Sequence, residues 1–283
     1  RDWSSDVCSS DLQMGRLAIF ALAPLIVVTF NWQGVFFAPA ILVSFMAYLT
    51  YRYVYDSPEH VNLPSLDVQD ATSGDTEQVT LKYVAGKVFT NPVTLAIAAA
   101  EFCTGVVRHG FEQWFPRYMQ EAQHLPLTSP VFAKGALSVV FAGVVGSFAA
   151  GFISDKLFNN RRTPVAFLGY IVQIACLGVI WMATDVSLVI AAFILNSFAI
   201  SIVHSMLSGT ASMDFGGKRA AATAAGLFDG MQYVGGSFVG IGMGWLLTQF
   251  GWVAWGPSMI GFAAIGAVIM LSLWNARPGK SAH

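Results

Sequence analysis

The stretch from Asn91 to Met119, NPVTLAIAAAEFCTGVVRHGFEQWFPRYM, decides the fold. It is mostly apolar and long enough to cross a bilayer, which takes about 20 residues, and Arg108 sits well inside it. An arginine at the bilayer centre costs at least about 3 kcal/mol unless it faces a protein interior or a water-filled cavity. A buried guanidinium is always charged and presents five donors in a fixed fork, which suits an anion such as phosphate. The stretch therefore predicts a multi-helix membrane protein that holds an anion site between its helices.

The rest of the chain supplies those helices. Of 283 residues, 55% are hydrophobic and 11% charged, far below the roughly 25% charge of soluble domains. Apolar segments run from Met14 to Phe30, Phe36 to Tyr55, Asn91 to Phe115, Phe132 to Ile153, Val165 to Ala183, Leu188 to Ser208, Ala221 to Phe250 and Trp255 to Leu273. None alternates with period two, so an outer-membrane barrel is not expected. Eight helices, the first incomplete, form an all-α polytopic membrane protein. Lys156, Arg161 and Arg162, then Lys218 and Arg219, then Arg277 and Lys280 fall in alternate connections, and the excess of positive charge predicts that these face the cytoplasm. The turns at Asn31-Trp32-Gln33, Thr184-Asp185 and Gln249-Phe250-Gly251 carry no Lys or Arg.

Residues 56–90 read as a cytoplasmic linker, with Pro58, Pro64, Gly74 and six acids, followed by the amphipathic run LKYVAGKVF. It divides residues 13–55, holding two helices, from residues 91–274, holding six, and residues 275–283 form a tail. Such a division suggests the end of one six-helix half joined to a second half. The opening RDWSSDVCSSDL has neither the basic start nor the apolar run of a signal peptide. It resembles a translated sequencing-adaptor remnant, so residues 1–12 are expected to be non-native and the chain to be a fragment.

Several polar residues could share a cavity with Arg108. Glu112 lies one turn away and can orient the guanidinium, release it when an anion arrives, or stand at the interface. Glu101 or Glu112 could instead pair with Arg108 in a purely structural role. His109 points about 100° away from Arg108. His204 lies in an apolar run and is open to substrate contact or to helix–helix bonding. Asp229, Gln232 and Tyr233 at i, i+3 and i+4 form one polar stripe, facing either substrate or a neighbouring helix. Lys134 is expected to snorkel. Gly236, Gly240 and Gly244, with Gly235 and Gly242 beside them, make a small face for close helix packing. Cys8, Cys103 and Cys176 are too far apart for a disulfide or zinc pattern. No nucleophile, metal cluster or paired carboxylates with catalytic spacing stand out, so an enzyme is not expected, nor a cofactor. No basic domain suggests nucleic acid.

Two motifs carry a family resemblance. Gly151, Asp155 and Lys156, followed by Arg161 and Arg162, resemble the G-x-x-x-D-R/K-x-x-x-x-R/K loop of the major facilitator superfamily. That likeness implies a conformational role and no substrate contact. Arg108, Gly110, Trp114, Pro116 and Tyr118 resemble the R-x-G-x-x-x-W-x-P-x-Y segment of its organophosphate:phosphate antiporters. The run from Lys218 to Gly226, and Tyr233 with Gly235, Gly236 and Ser237, are similar to that family's penultimate helix.

The resemblance implies helices five to twelve of a twelve-helix carrier of the bacterial inner membrane, monomeric when complete, with a cytoplasmic C-terminus. It implies exchange of an organic phosphate for inorganic phosphate, or, in the alternative, a receptor for extracellular sugar phosphate that signals to a sensor kinase. It makes Arg108 one of two phosphate-clamping arginines, whose partner belongs to the missing N-terminal half. His204, Asp229, Gln232, Tyr233 and Glu112 are then further substrate contacts. Members often carry an acid immediately before the tryptophan, where this chain has Gln113, and another deeper on the helix after it, where Phe132 to Ile153 has none.

Overall fold

The computed structural model describes residues 3–55, 86, 88–158 and 161–275, and these contain helices and turns but no strand. In chain order the helices are α1 (Trp3–Tyr53), α2 (Pro92–Glu121), α3 (Pro130–Leu157), α4 (Arg162–Met182), α5 (Val186–His204), a π-helical segment (Ser205–Thr210), α6 (Ala211–Phe250), a 3-10 turn (Trp252–Ala254) and α7 (Trp255–Ser272). The chain forms two compact units, Met14–Val68 and the remainder. Most of the linker, including Lys82 and Lys87, and the basic tail with Arg277 and Lys280 lie outside the described residues.

In the Met14–Val68 unit the helix is interrupted at Asn31, whose φ of 59° and ψ of −177° leave helical space. This is the position of the uncharged turn expected at Asn31-Trp32-Gln33. Such a backbone is rare outside glycine. Beyond it Trp32 packs edge-on against Phe36 at 6.2 Å.

In the larger unit, local chemistry sets the helix starts. Asn91, Ser129 and Asp185 each cap a helix through a side-chain oxygen, accepting from Val93, Phe132 and Leu188 respectively. Pro92 and Pro130 occupy first positions, where a missing N–H costs nothing. Gly251, at φ 68°, closes α6 by donating to the Leu247 carbonyl. One proline, Pro116, sits inside α2.

α2 lies at the centre, packed against α6 and α7 and touching α5, while α4 packs against α5 and α7, and α3 against α5. At one end of the bundle Tyr118 stacks on Trp255 and donates to the Ile180 carbonyl, and Trp252 donates to Glu121. At the other, Thr163 donates to the Leu273 carbonyl. These ties fit helices that alternate in direction. Outward surfaces are apolar, as at Ile241, Val268, Phe141 and Phe152, which is what contact with lipid tails requires.

Among the described residues, five stretches are long and apolar enough to cross a membrane: Thr29–Tyr53, Pro130–Leu157, Arg162–Met182, Val186–Ser208 and Trp252–Ser272. The expected spans at 91–115 and 221–250 are not among them. For α2 the reason is its place: 16 of its 30 residues are buried, Glu101 and Arg108 included. Its environment is protein on most sides, so it need not be lipid-like.

The connection expected around Lys218 and Arg219 is also different, because the chain is helical from Val186 to Phe250. Yet Gln232 meets His204, 28 residues earlier. A straight helix would hold them about 42 Å apart. The chain therefore reverses between Ser208 and Asp229.

The glycine face is corrected too. A Cβ on Gly240 or Gly244 would meet nothing within 4 Å, whereas one on Gly236 would lie 2.4 Å from the His109 ring and one on Gly235 2.3 Å from the Phe102 carbonyl oxygen. Of the expected face, Gly235 and Gly236 are close-packed and Gly240 and Gly244 are not.

Candidate functional site

The site begins where α2 and α6 touch backbone to backbone. A Cβ on Gly105 would stand 2.0 Å from the Gln232 carbonyl oxygen, so only glycine lets the helices meet there. In a bilayer, where helices gain little from hiding apolar surface, such close packing and interhelical hydrogen bonds hold the contact. One turn beyond Gly105, the crossing brings Arg108 under Gln232.

Arg108 is 5% exposed. Its Nε donates to Glu112 Oε1 at 3.3 Å and its Nη1 to Gln232 Oε1 at 3.1 Å. The second bond orients the glutamine amide, because a guanidinium only donates. Gln232 Nε2 consequently faces away, 3.2 Å from Glu101 Oε2 and 2.8 Å from His204 Nδ1. Its two hydrogens serve those two acceptors. In this arrangement His204 Nδ1 accepts from the amide. Glu101 is fully buried, and its second oxygen, Oε1, lies 3.9 Å from His204 Nδ1 with no hydrogen bond of its own.

The network continues on both sides. Asp229 accepts from the Ser208 hydroxyl and lies near enough to Glu101 to repel it. Tyr170 places its hydroxyl 2.7 Å from Thr104 Oγ1 and 2.9 Å from the Ala100 carbonyl, next to Glu101 in the chain. Glu112 thus pairs with the guanidinium directly, Glu101 is joined to it through Gln232, and Asp229 stands beyond Glu101.

Arg108, Glu112, Gln232 and His204 lie in one hydrogen-bonded cluster, with Asp229 one turn from Gln232. Tyr233 does not join them. It is 60% exposed, and its ring lies 5.6 Å from that of His109. Successive helix residues differ by about 100°, so a buried Gln232 turns its neighbour outward. Lys134 is exposed on the first turns of α3. Cys103 and Cys176 are buried and free. Glu101, weighed from sequence only as an ion-pair partner, proves central. Its signal was the spacing of seven residues from Arg108, two turns along one helical face. Ser208 had no such signal.

The second motif forms a latch across the α3–α4 turn. Arg162 Nη1 reaches Asp155 Oδ1 at 3.5 Å and donates to Ser154 Oγ at 2.9 Å. Ser154 in turn faces the Arg161 carbonyl at 3.5 Å. Lys156 lies over the Phe152 ring at 4.5 Å, and Gly151 is buried one turn earlier. A shallow apolar cleft of about 440 Å³ beside Thr223 and Met231 belongs to neither cluster.

The Major Facilitator Superfamily model matches residues 12–240. The chain is 30% identical over 277 residues to the glycerol-3-phosphate transporter of Bacillus subtilis, covering 93% of this chain and 61% of that protein. It is 27% identical over 254 residues to the hexose-6-phosphate:phosphate antiporter of Escherichia coli, covering 85% and 54% respectively. It therefore spans between half and two thirds of the length of these relatives. Among solved structures, a bacterial homologue of the human lysosomal transporter Spinster, inward-facing and unoccupied, superposes with a TM-score of 0.53 at 15% identity, covering 93% of this chain and 61% of that one.

Proposed function

The chain belongs to the Major Facilitator Superfamily, and from that membership we propose that it forms part of a secondary carrier that exchanges an organic phosphate ester for inorganic phosphate. The ester is glycerol 3-phosphate, a sugar phosphate or a phosphoglycerate. The single observation behind this reading is the guanidinium of Arg108, buried at the α2–α6 crossing, in a chain whose relatives include phosphate-ester carriers. On this reading α1 supplies the last two helices of one six-helix half, and α2 to α7 make up the other half, with a missing N-terminal half as partner. The carrier is a multi-pass protein of the bacterial inner membrane, monomeric and with a cytoplasmic C-terminus.

The chemistry follows from competition among anions. Glu112 already occupies the Nε side of Arg108. A phosphate dianion, with more acceptor oxygens and more charge, displaces a single carboxylate from a guanidinium fork. With a second arginine across the cavity, phosphate also relieves the repulsion of two desolvated cations. An empty, doubly charged site rearranges poorly between inward-open and outward-open states, and an occupied one readily, which makes the carrier an exchanger. The Asp155–Arg162 latch holds one of those states and touches no substrate. Gln232 and His204 position Arg108 from α6 and α5. Asp229 disfavours a second phosphate and tolerates a hydroxylated moiety.

Labelled-phosphate uptake into phosphate-loaded proteoliposomes containing the full-length carrier tests this. Glycerol 3-phosphate, hexose phosphates and phosphoglycerates serve as competitors, and Arg108→Gln as the variant. Saturable exchange blocked by one competitor and abolished by the variant is expected. Folded protein that binds organic phosphate without exchanging it would replace antiport with the receptor role.

A further inference from the structure

The geometry points to a proton-binding site at Glu101 and His204, wired to Arg108 through the Gln232 amide, so that the carrier binds a proton along with its anion. This deepens the exchange reading above and rests on it.

A carboxylate with a purely structural role engages both oxygens, because a buried unsatisfied acceptor is costly. Glu101 engages one. Its Oε2 accepts from Gln232, while its Oε1 is buried, bonds to nothing and lies 3.9 Å from His204 Nδ1. The imidazole nitrogen is meanwhile held at 2.8 Å by the Gln232 Nε2–H. The amide cannot flip to suit a different tautomer, since its oxygen is committed to Arg108. Glu101 Oε1 is thus a proton acceptor with an available lone pair close to His204.

Protonation rearranges these contacts in a defined way. A proton from water adds to His204 Nδ1 and turns it from acceptor into donor. Two donors 2.8 Å apart repel, so the Gln232–His204 contact breaks. The imidazolium swings the short distance to Glu101 Oε1 and forms a charge-assisted N–H···O bond. Gln232 keeps Arg108 and Glu101 and loses its third tether. The neighbourhood of Arg108 loses one unit of negative charge, which favours an arriving phosphate. When the site empties to the opposite side, the proton returns to water. No electron moves, and no covalent bond to substrate forms.

The charged and titratable groups facing this pair are few. α2 itself carries Arg108, Glu112 and Cys103, with His109 turned toward Tyr233. α6 presents Asp229, held by Ser208, while Tyr233 is turned outward. α4 presents Tyr170, bonded to Thr104 and Ala100. α7 and the π-helical segment contribute none, and the Lys134, Asp155 and Lys156 of α3 stand near its ends.

The test is ¹⁵N-histidine NMR of the full chain in lipid nanodiscs, with His204→Gln assigning the signal. At high pH His204 shows an unprotonated Nδ1, and its signal shifts as the ring takes up a proton on acidification. Glu101→Gln lowers the midpoint by about one pH unit or more, while Glu101→Asp, which keeps the charge, lowers it less. Added inorganic phosphate raises the wild-type midpoint. A His204 signal that does not titrate, or that keeps its midpoint in both Glu101 variants, overturns the proton site. Phosphate exchange measured in parallel separates the two readings. Exchange with an inert His204 leaves the antiporter and removes the proton; a titrating His204 without exchange does the reverse.

Discussion

Replacing Gly105 with alanine probes the contact on which the whole site depends. The added Cβ would lie 2.0 Å from the Gln232 carbonyl oxygen and 2.7 and 2.8 Å from its carbonyl carbon and Cα. All three are backbone atoms, so no side chain can swing aside. Restoring an ordinary contact of about 3.5 Å moves α6 away by about 1.5 Å. The 3.1 Å bond between Arg108 and Gln232 cannot survive that displacement. Overpacking costs about 1–3 kcal/mol, and losing a hydrogen bond to a buried charge about 1.5–3 kcal/mol. Alanine's helix propensity returns about 1 kcal/mol. The net loss is about 1.5–5 kcal/mol. Thermal unfolding of the purified protein in detergent, followed by tryptophan fluorescence, measures it against Gly240→Ala. That control meets no atom within 4 Å and is expected to be neutral or slightly stabilising. If Gly105→Ala unfolded at the temperature of Gly240→Ala, the backbone crossing would not be what holds the site.

Other contacts of the site set further expected outcomes. Arg108→Lys keeps the charge but cannot reach Glu112 and Gln232 through separate donors of one fork; phosphate exchange is expected to fall at least tenfold, read as initial uptake rates. Arg162→Ala removes the latch to Asp155 and Ser154 while costing at most about 1 kcal/mol, since Asp155 is more than half exposed. Exchange should slow with phosphate affinity preserved, as separate binding and flux assays would show. Tyr170→Phe deletes a hydroxyl that bridges α4 to Ala100 and Thr104, and a loss of about 1–2 kcal/mol is expected in the same unfolding assay.

What the sequence made legible were features with local signatures. Arg108 stood out because its charge was out of place, and Glu112 because one helical turn separates them. Asn91, Ser129 and Asp185 sit at helix starts for reasons a few residues explain. The Asn31 break fell where an uncharged turn interrupted apolar sequence. What stayed hidden depends on distant chain meeting distant chain. His204 and Gln232 are separated by a reversal that hydropathy placed in a loop and the backbone makes helical. The glycine spacing of 236, 240 and 244 was legible, but which face meets a neighbour is set by α2, through Phe102 and His109. Tyr233 shared a stripe with Gln232 on paper, yet one side chain buried and the next exposed is all the crossing angle allows.

Pro116 gives α2 a mechanical character. Having no N–H, it cannot bond the carbonyl four residues back, which is that of Glu112, the partner of Arg108. The rung of the helix next to the charged pair is therefore missing. Beyond it Tyr118 is wedged against Trp255 and tied to Ile180, while Glu121 receives Trp252. α2 behaves less like a rod than like two lever arms with a soft joint between them. One arm is clamped by aromatic rings, and the other is pinned to α6 through Gly105. Torque applied at the aromatic end is delivered at Glu112, the carboxylate that holds the Nε side of Arg108.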